Sequence, residues 1–245
     1  CQGALSMAQA PLVFITGASS GIGQSLALRF HQAGWRLALV ARRGADIQAW
    51  VDAQGLGADQ ARVYAADVRD VHSIVDAGRA CIDAQGLPDA VVANAGISIG
   101  VDTAIFDDLE VMRSTFETNN LGIAATFHPF VAAMGQRGSG RLVGIASVAG
   151  IRGLPGHGAY SASKAAAISY CESLRGECAS SGVKVVTLLP GYIDTPLNRG
   201  SRSRPFVIDA DKGARLMADL IERGVGLAPT PEAAGRAAGK RGGLA

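Results

Sequence analysis

The chain has 245 residues, 48% of them hydrophobic, and its 23 basic and 21 acidic residues give a formal net charge of +2. This composition can supply the core of one large domain, and the balanced charge gives no reason to expect nucleic acid or a membrane surface as a partner. No apolar run approaches the ~20 residues that a membrane-spanning helix needs.

The start of the chain and the cysteines point to a cytoplasmic protein without a bound metal. The first residues lack the basic and apolar regions of a signal peptide, so we expect residues 1–10 to be an N-terminal extension or an upstream remnant. The four cysteines include no C-x-x-C pair and the four histidines are scattered. Because zinc and redox sites need closely spaced ligands, we expect reduced thiols and no metal.

Short apolar runs alternate with helical segments along most of the chain. Most of the runs are continuously apolar, which is typical of strands in a parallel sheet that is covered by helices on both faces. The pattern predicts one α/β domain over residues 11–223, with a doubly wound, mostly parallel sheet in a three-layer α/β/α Rossmann fold. The predicted strands are residues 12–16, 36–41, 61–66, 89–94, 141–147 and 183–190.

A glycine-rich turn, TGASSGIG (16–23), follows the first strand and opens a helix. Gly17 would permit a sharp turn, Gly21 would let the backbone approach a pyrophosphate, and Gly23 would let helix and strand pack closely. The free N–H groups at the helix start attract phosphate, and the first turn holds no competing acidic residue. The sequence therefore predicts a dinucleotide site here.

The end of the second strand, LALVARR, bears on the choice of dinucleotide. A carboxylate at this point pairs with the ribose 2′-hydroxyl of NAD, whereas arginine accommodates the 2′-phosphate of NADP. Ala41 stands where the carboxylate would be, and Arg42 and Arg43 follow it. We expect NADP, with NAD possible; the alternative is that both arginines are solvated loop residues.

The segment YSASK (160–164) places a tyrosine and a lysine four residues apart, on one face of a predicted helix. By itself this spacing does not separate a surface pair from a catalytic pair. The surrounding motifs do. They are TGASSGIG (16–23), DV (67–68), NAG (94–96), NNLG (119–122), SVAG (147–150), YSASK (160–164) and PGYIDTP (190–196).

These seven motifs, in this order, resemble those of the short-chain dehydrogenases/reductases of the compact single-domain type. The resemblance implies that Asn119, Ser147, Tyr160 and Lys164 are catalytic. It also implies a cofactor site that includes the two arginines. The cofactor residues are Gly17, Ser19, Ser20, Gly21, Ile22, Arg42, Arg43, Asp67, Val68, Asn94, Ala95, Gly96, Tyr160, Lys164, Pro190, Gly191, Ile193 and Thr195.

In this family, Tyr160 would exchange a proton with the substrate oxygen and Ser147 would hold that oxygen. Lys164 would bind the nicotinamide ribose, and Asn119 would hold a water that links Lys164 to solvent. An ammonium ~4–5 Å away contributes roughly 3–4 kcal/mol at an effective dielectric near 20. A fall of ~3 units in a tyrosine pKa needs about 4 kcal/mol. We therefore expect Lys164 to lower the pKa of Tyr160.

The last part of the chain is expected to close and cover the site. Residues 196–208 are predicted to form a substrate lid. Its arginines, Arg199, Arg202 and Arg204, leave three alternatives open: an acidic substrate, an acyl-carrier partner, or solvated loop residues. Residues 224–245 are predicted to supply an edge strand around GVGLA (224–228) and then a loosely ordered tail. The chain lacks the DGG-like ending of many tetrameric family members.

The resemblance predicts an oxidoreductase that interconverts a small-molecule carbonyl and a secondary alcohol, as a homodimer or homotetramer. Two alternatives stay open at this point: a dinucleotide-sensing protein without turnover, and an isomerase or lyase on the same fold. The intact set of Asn119, Ser147, Tyr160 and Lys164 argues against the sensor, because binding alone needs no proton donor.

Overall fold

Seven parallel strands form one sheet in the computed structural model, which describes residues 9–198 and 207–229. Their order across the sheet is β3-β2-β1-β4-β5-β6-β7, and each neighbouring pair is parallel. The strands are β1 Leu12–Thr16, β2 Arg36–Ala41, β3 Ala61–Ala65, β4 Ala90–Ala93, β5 Gly140–Ile145, β6 Val183–Leu189 and β7 Leu227–Pro229.

Helices cover both faces of this sheet. The seven α-helices in the described ranges are α1 Gly21–Gln32, α2 Gly44–Ala53, α3 Val71–Gln85, α4 Asp108–Phe116, α5 Gly122–Arg137, α6 Gly158–Glu177 and α7 Ala210–Arg223.

Two separate cores explain why the strands are continuously apolar. Successive side chains of a strand point to opposite faces, so Phe14 of β1 packs with α3, α5 and α6, while Ile15 packs with α1, α2 and α7. On the first face the rings of Phe14 and Phe130 lie 4.9 Å apart between centroids. Both faces therefore need apolar residues, and the predicted three-layer, doubly wound fold is confirmed.

The strand order reverses direction between β1 and β4, which leaves a crevice at the carboxyl ends of these two strands. Ligands of doubly wound sheets bind at such a switch point. The segments after β1 and β4 carry the predicted glycine turn and the NAG motif, so the topology brings the two motifs together.

One helical run extends from α4 into α5 and is interrupted by a π-helical turn, Glu117–Leu121. Such turns have one residue more per hydrogen-bonded ring than an α-helix, and they often occur at functional sites. This turn contains Asn119, which was predicted to be catalytic. The widened turn was not predicted from the sequence.

The C-terminal predictions fall partly outside the described residues. A short strand, β7, lies at the sheet edge beside β6 and overlaps the edge strand expected around 224–228. Residues 199–206 of the expected lid and 230–245 of the expected tail lie outside the described ranges, as do residues 1–8. Among the helices described, none has the length and apolar character needed to cross a membrane.

The packing of α3 on α5 gives a test of the fold at one glycine. A Cβ added at Gly78 would lie 2.5 Å from Cγ of Pro129 and 3.1 Å from the ring of Phe130. We expect Gly78→Ala to lower the free energy of unfolding by about 1–3 kcal/mol, because a proline ring in a helix cannot swing aside. Urea unfolding followed by circular dichroism measures it.

Gly176 on α6 is the matched control, because a Cβ there meets no atom within 4 Å among the described residues. Gly176→Ala should leave stability unchanged or raise it by up to ~1 kcal/mol through helix propensity. Similar losses in both variants would show that the close approach of α3 and α5 is wrong.

Candidate active site

A cavity of about 1230 Å³ lies along the carboxyl ends of the strands, on both sides of the switch point. Pockets that hold one small molecule are usually ~300–1,000 Å³, so this cavity has room for a dinucleotide and a further substrate. Its lining comes mainly from the ends of β1 to β6 and the segments that follow them, together with the first turns of α6, Ser114 of α4 and Thr118 of the π-helical turn.

The structure brings nearly all the predicted site residues to this cavity. Ser147, Tyr160 and Lys164 line it, and so do all the predicted cofactor residues except Ile193. Ile193 is 1% exposed and packs on Gly213 of α7, so its side chain belongs to the core. Asn119 is also fully buried, behind the lining. Within the described residues, no group of three His, Cys, Asp or Glu is arranged to hold a metal ion.

The glycine turn has the geometry that phosphate binding requires. Gly17 has φ +67° and lies so close to β4 that a Cβ would be 2.9 Å from Cα of Ala95. A Cβ on Gly23 would lie 2.3 Å from the carbonyl oxygen of Gly17. Among the described side chains, none caps the start of α1 at Ser20. The first N–H groups of α1 are therefore open to the cavity, where a phosphate could accept from them.

Hydrogen bonds between the ends of β1 and β4 fix this turn. The Thr16 hydroxyl oxygen accepts from the backbone N–H groups of Asn94 at 3.1 Å and Ala95 at 3.2 Å. The Asn94 side-chain amide donates to the carbonyl oxygens of Thr16 at 3.0 Å and Gly17 at 3.3 Å. Asn94 and Thr16 together hold the turn in place, and sequence reasoning had not singled out Thr16.

The two arginines after β2 have different environments. The Arg43 side chain forms an ion pair with Asp46 in the first turn of α2. Arg42 lines the cavity, is exposed, and has no hydrogen bond or ion pair to any described residue. Its charge nevertheless helps to lower the pKa of Asp67. Arg42 is therefore the cation that is available to a ligand at this end of the cavity.

Asp67 is paired with an arginine that was not predicted. The Arg69 guanidinium donates to Asp67 Oδ2 at 2.8 Å, and the Arg69 backbone N–H donates to Oδ1 at 3.0 Å. The hydrogen bond from Arg69 is the largest cause of the lowered pKa of Asp67. Arg69 also lines the cavity. Its position two residues after a predicted site aspartate was the only signal in the sequence.

Ser147 and Tyr160 meet because a 3₁₀ turn, Val148–Gly150, packs directly on α6. A Cβ on Gly150 would lie 2.7 Å from the carbonyl carbon of Lys164, so only glycine allows this approach. The Ser147 hydroxyl oxygen accepts from the N–H of Ala149 at 3.2 Å, which fixes the serine at the start of the turn. The Ser147 hydroxyl donates to the carbonyl oxygen of Pro190 at 3.4 Å, and Ser147 is near enough to Tyr160 to counteract the rise in the pKa of that tyrosine.

Lys164 is buried and points to the end of β5. Its Nζ donates to the carbonyl oxygen of Ile145 at 2.8 Å and lies 5.7 Å from the centroid of the Tyr160 ring. Burial lowers the pKa of Lys164 from 10.5 to about 8. Near neutral pH the ammonium therefore still predominates, but it loses its proton far more readily than an exposed lysine does.

We expected Lys164 to lower the pKa of Tyr160, but in the protein alone this pKa is raised. Burial raises the pKa of Tyr160 above its ordinary value, the hydrogen bond with Ser147 opposes this rise, and Tyr192 adds to it. The physical reason is that the same burial removes water from both groups. It disfavours the phenolate and the ammonium together, so the Coulomb attraction assumed from the sequence is outweighed.

Asn119 does not reach the cavity but binds the backbone of one of its walls. The Asn119 Oδ1 accepts from the N–H of Ile97 at 2.9 Å, and Nδ2 donates to the carbonyl oxygen of Ile97 at 3.0 Å. Nδ2 also donates to Ser163 Oγ at 2.9 Å. Three hydrogen bonds to two residues therefore hold this side chain. Gly96 leaves room for the arrangement, since a Cβ there would lie 3.2 Å from Asn119 Oδ1.

The half of the cavity beyond β4, β5 and β6 is mostly apolar. Arg152 is the one charged side chain in that half besides Lys164, among the residues described. The described lining of that half includes five large aliphatic side chains outside the strands: Ile97, Ile99, Ile151, Leu154 and Leu197. No motif identified them, because aliphatic residues after a strand look like core residues in a sequence.

Comparison with known proteins agrees with this geometry. The family model described as short chain dehydrogenase matches residues 11–205. An uncharacterized oxidoreductase of Myxococcus xanthus is 38% identical over 212 residues, which cover 86% of this chain and 83% of the relative. An uncharacterized oxidoreductase of Mycobacterium tuberculosis is 36% identical over 223 residues, with 89% and 87% covered.

Solved structures share the fold over nearly the whole chain. A short-chain dehydrogenase from Streptomyces avermitilis superposes with a TM-score of 0.79 at 26% identity, covering 92% of this chain and 91% of that chain. An alcohol dehydrogenase from Thermococcus sibiricus, in complex with 5-hydroxy-NADP, gives a TM-score of 0.77 at 25% identity, covering 87% and 91%.

The buried lysine gives a prediction about stability and pH. Between about pH 8 and 10.5 the unfolded chain binds a proton at Lys164 that the folded protein does not bind. Below about pH 8 the buried ammonium destabilises the folded protein by about 3 kcal/mol. This destabilisation disappears as the pH rises towards 10.5, because the folded protein gives up the proton first. We expect the stability of the wild type relative to Lys164→Met to increase by about this amount across the window.

Urea unfolding at several pH values between 7 and 10.5 measures this difference. The exposed Lys184 on β6 is a suitable control, and the difference between wild type and Lys184→Met should stay flat. A flat difference for Lys164→Met as well would contradict burial of the Lys164 ammonium.

Proposed function

Because the chain belongs to the short-chain dehydrogenase family, we propose that this oxidoreductase interconverts a carbonyl and a secondary alcohol with NADP(H) as its preferred cofactor. The observation that carries the proposal is the meeting of Ser147, Tyr160 and Lys164 in one cavity with an open helix N-terminus.

The residues on either side of the switch point fit a dinucleotide. The turn at Gly17 and the start of α1 would hold the pyrophosphate, and the segment Asp67–Arg69 would border the adenine. The unpaired guanidinium of Arg42 suits a 2′-phosphate, which it could bind with two parallel hydrogen bonds. When bound, the nicotinamide cofactor supplies or accepts the hydride.

The polar side chains in the middle of the cavity would transfer the proton to and from the substrate oxygen. Tyr160 is kept in its protonated form by burial, so it can donate to a carbonyl oxygen that gains electrons in the reductive direction. Ser147 would hold that oxygen with its hydroxyl group and stabilise the developing negative charge. The pKa of Lys164, about 8, is near enough to neutral pH for this group to take up and release protons there.

The half of the cavity beyond β4, β5 and β6, here called the substrate half, favours a carbonyl compound with an apolar body. Its wall consists mainly of aliphatic side chains around the reacting groups, so an apolar substituent would lose water on binding and gain about 25 cal/mol per Å². We therefore expect medium-sized apolar ketones or aldehydes to react faster than sugars of the same size.

Tyr160→Phe tests the chemistry directly. It removes one oxygen from a buried position, and we expect turnover of every active substrate to fall by about 10²–10⁴-fold, as for loss of a general acid, while NADPH affinity stays within about twofold. NADPH consumption with a panel of ketones, aldehydes and sugars gives the rate. Cofactor fluorescence gives the affinity.

Two results would count against the proposal. If the wild type binds NADPH but reduces no carbonyl compound in the panel, the chain is a sensor of the dinucleotide. If Tyr160→Phe loses turnover and cofactor affinity to the same extent, the tyrosine is structural.

Arg42→Ala tests the cofactor preference, with Arg43→Ala as the matched control. A charge-assisted hydrogen bond contributes ~1.5–3 kcal/mol, so Arg42→Ala should weaken NADPH binding about 10- to 100-fold and leave NADH binding nearly unchanged. Arg43→Ala should change NADPH binding by less than about threefold, because Asp46 already engages Arg43. Equal losses for NADPH and NADH in Arg42→Ala would refute the 2′-phosphate role.

A further inference from the structure

Two serines lie between Tyr160 and Lys164, and neither lines the cavity. Ser161 and Ser163 are 6% and 0% exposed. At about 100° per residue, positions one and three after Tyr160 point to opposite sides of it around the helix axis. The two hydroxyl groups can therefore reach different neighbours on the two sides of the catalytic tyrosine.

Ser161 binds the wall that follows β5. Its hydroxyl oxygen accepts from the backbone N–H of Leu154 at 3.2 Å. Leu154 lines the substrate half of the cavity. It lies in the exposed connection between the 3₁₀ turn and α6, where a backbone without such a partner would be mobile. The hydroxyl of Ser161 thus ties this wall to the helix that carries Tyr160.

Ser163 binds the wall that follows β4, through Asn119. Its hydroxyl donates to the carbonyl oxygen of Tyr160 at 2.8 Å and accepts from Asn119 Nδ2 at 2.9 Å. Asn119 in turn holds both backbone polar groups of Ile97, which lines the other side of the substrate half. A chain of buried hydrogen bonds therefore runs from Tyr160 to this wall.

We propose that Ser161 and Ser163 are positioning residues, each of which holds one wall of the substrate half in register with Tyr160. The role in substrate binding rests on the proposed function. The hydrogen bonds from Ser161 to Leu154 and from Ser163 to Asn119, here called the two tethers, do not depend on it. Neither serine touches the reacting groups. The helix that carries the proton donor would therefore also set the width of the space that the substrate occupies.

The two tethers bind different walls, so each variant should loosen a different segment of the backbone. Ser161→Ala removes the acceptor of the Leu154 N–H and should loosen residues 151–157 only. Ser163→Ala removes one of the three hydrogen bonds of the Asn119 side chain and should loosen residues 97–101 only. The fold should persist in Ser163→Ala, because the Asn120 side-chain amide still donates to the carbonyl oxygen of Ser163 at 2.8 Å.

Hydrogen–deuterium exchange of the full chain measures this without any substrate. We expect amide exchange to accelerate about tenfold or more at residues 151–157 in Ser161→Ala and at residues 97–101 in Ser163→Ala. The other wall should exchange at the wild-type rate in each variant. Ser173→Ala, an exposed serine further along the same helix, should change neither wall.

Kinetics then give a readout that a general loss of stability would not produce. With a bulky apolar ketone that contacts both walls, kcat/KM should fall about tenfold in each variant and about a hundredfold in the double variant. With a ketone too small to touch the walls, it should fall less than threefold, and NADPH affinity should stay within twofold.

The proposed link between each serine and its own wall would be wrong if exchange were unchanged at both walls. It would also be wrong if each single variant accelerated exchange at both walls. Equal losses for large and small ketones would overturn the positioning role. If the exchange signatures appear but the wild type reduces no ketone, the tethers stand and the proposed function fails.

Discussion

The hydrogen bond from the buried ammonium of Lys164 to the carbonyl oxygen of Ile145 is the interaction on which the rest of the site depends. A buried lysine is tolerated only if it is hydrogen-bonded or loses its charge, and Ile145 is the last residue of β5. This one bond therefore fixes α6 against the carboxyl end of β5. It sets Tyr160, one helical turn before Lys164, over Ser147, two residues beyond Ile145.

The same burial decides the protonation states. Lys164 and Tyr160 would attract each other as ammonium and phenolate, by ~3–4 kcal/mol at an effective dielectric near 20. Removing both from water works in the opposite direction, and the protein's own groups leave each of them closer to its neutral form. Tyr160 therefore keeps its proton, beside a lysine whose pKa of about 8 lies near the neutral range.

The sequence predicted the fold class and the family, and nearly every predicted residue lies at one cavity, because glycine turns and ionisable motifs carry strong local signals. The roles of individual residues were harder to predict. Arg42 and Arg43 look alike in the sequence, but Asp46 at the start of α2 engages only the second. The site roles and the predicted homodimer or homotetramer stay predictions.

Residues that act through packing or backbone contacts gave no signal at all. Nothing in the sequence indicated the π-helical turn, and this turn places Asn119 against Ile97 instead of in the cavity. The aliphatic walls of the substrate half were equally hidden. Their positions depend on which strand ends lie side by side, and local patterns do not report that.

The distribution of charge along the cavity argues for one orientation of the bound molecules. The end beyond β2 and β3 holds Arg42, Arg43 and Arg69, opposed among the described lining residues by the carboxylate of Asp67, which Arg69 neutralises. Among the described lining residues, the end beyond β5 and β6 has Lys164 and Arg152 as its charged side chains and carries several aliphatic ones. A polyanionic dinucleotide is attracted to the first end, whereas an apolar body is stabilised at the second. The near-zero net charge of the whole chain conceals this separation of charged and uncharged lining within one cavity.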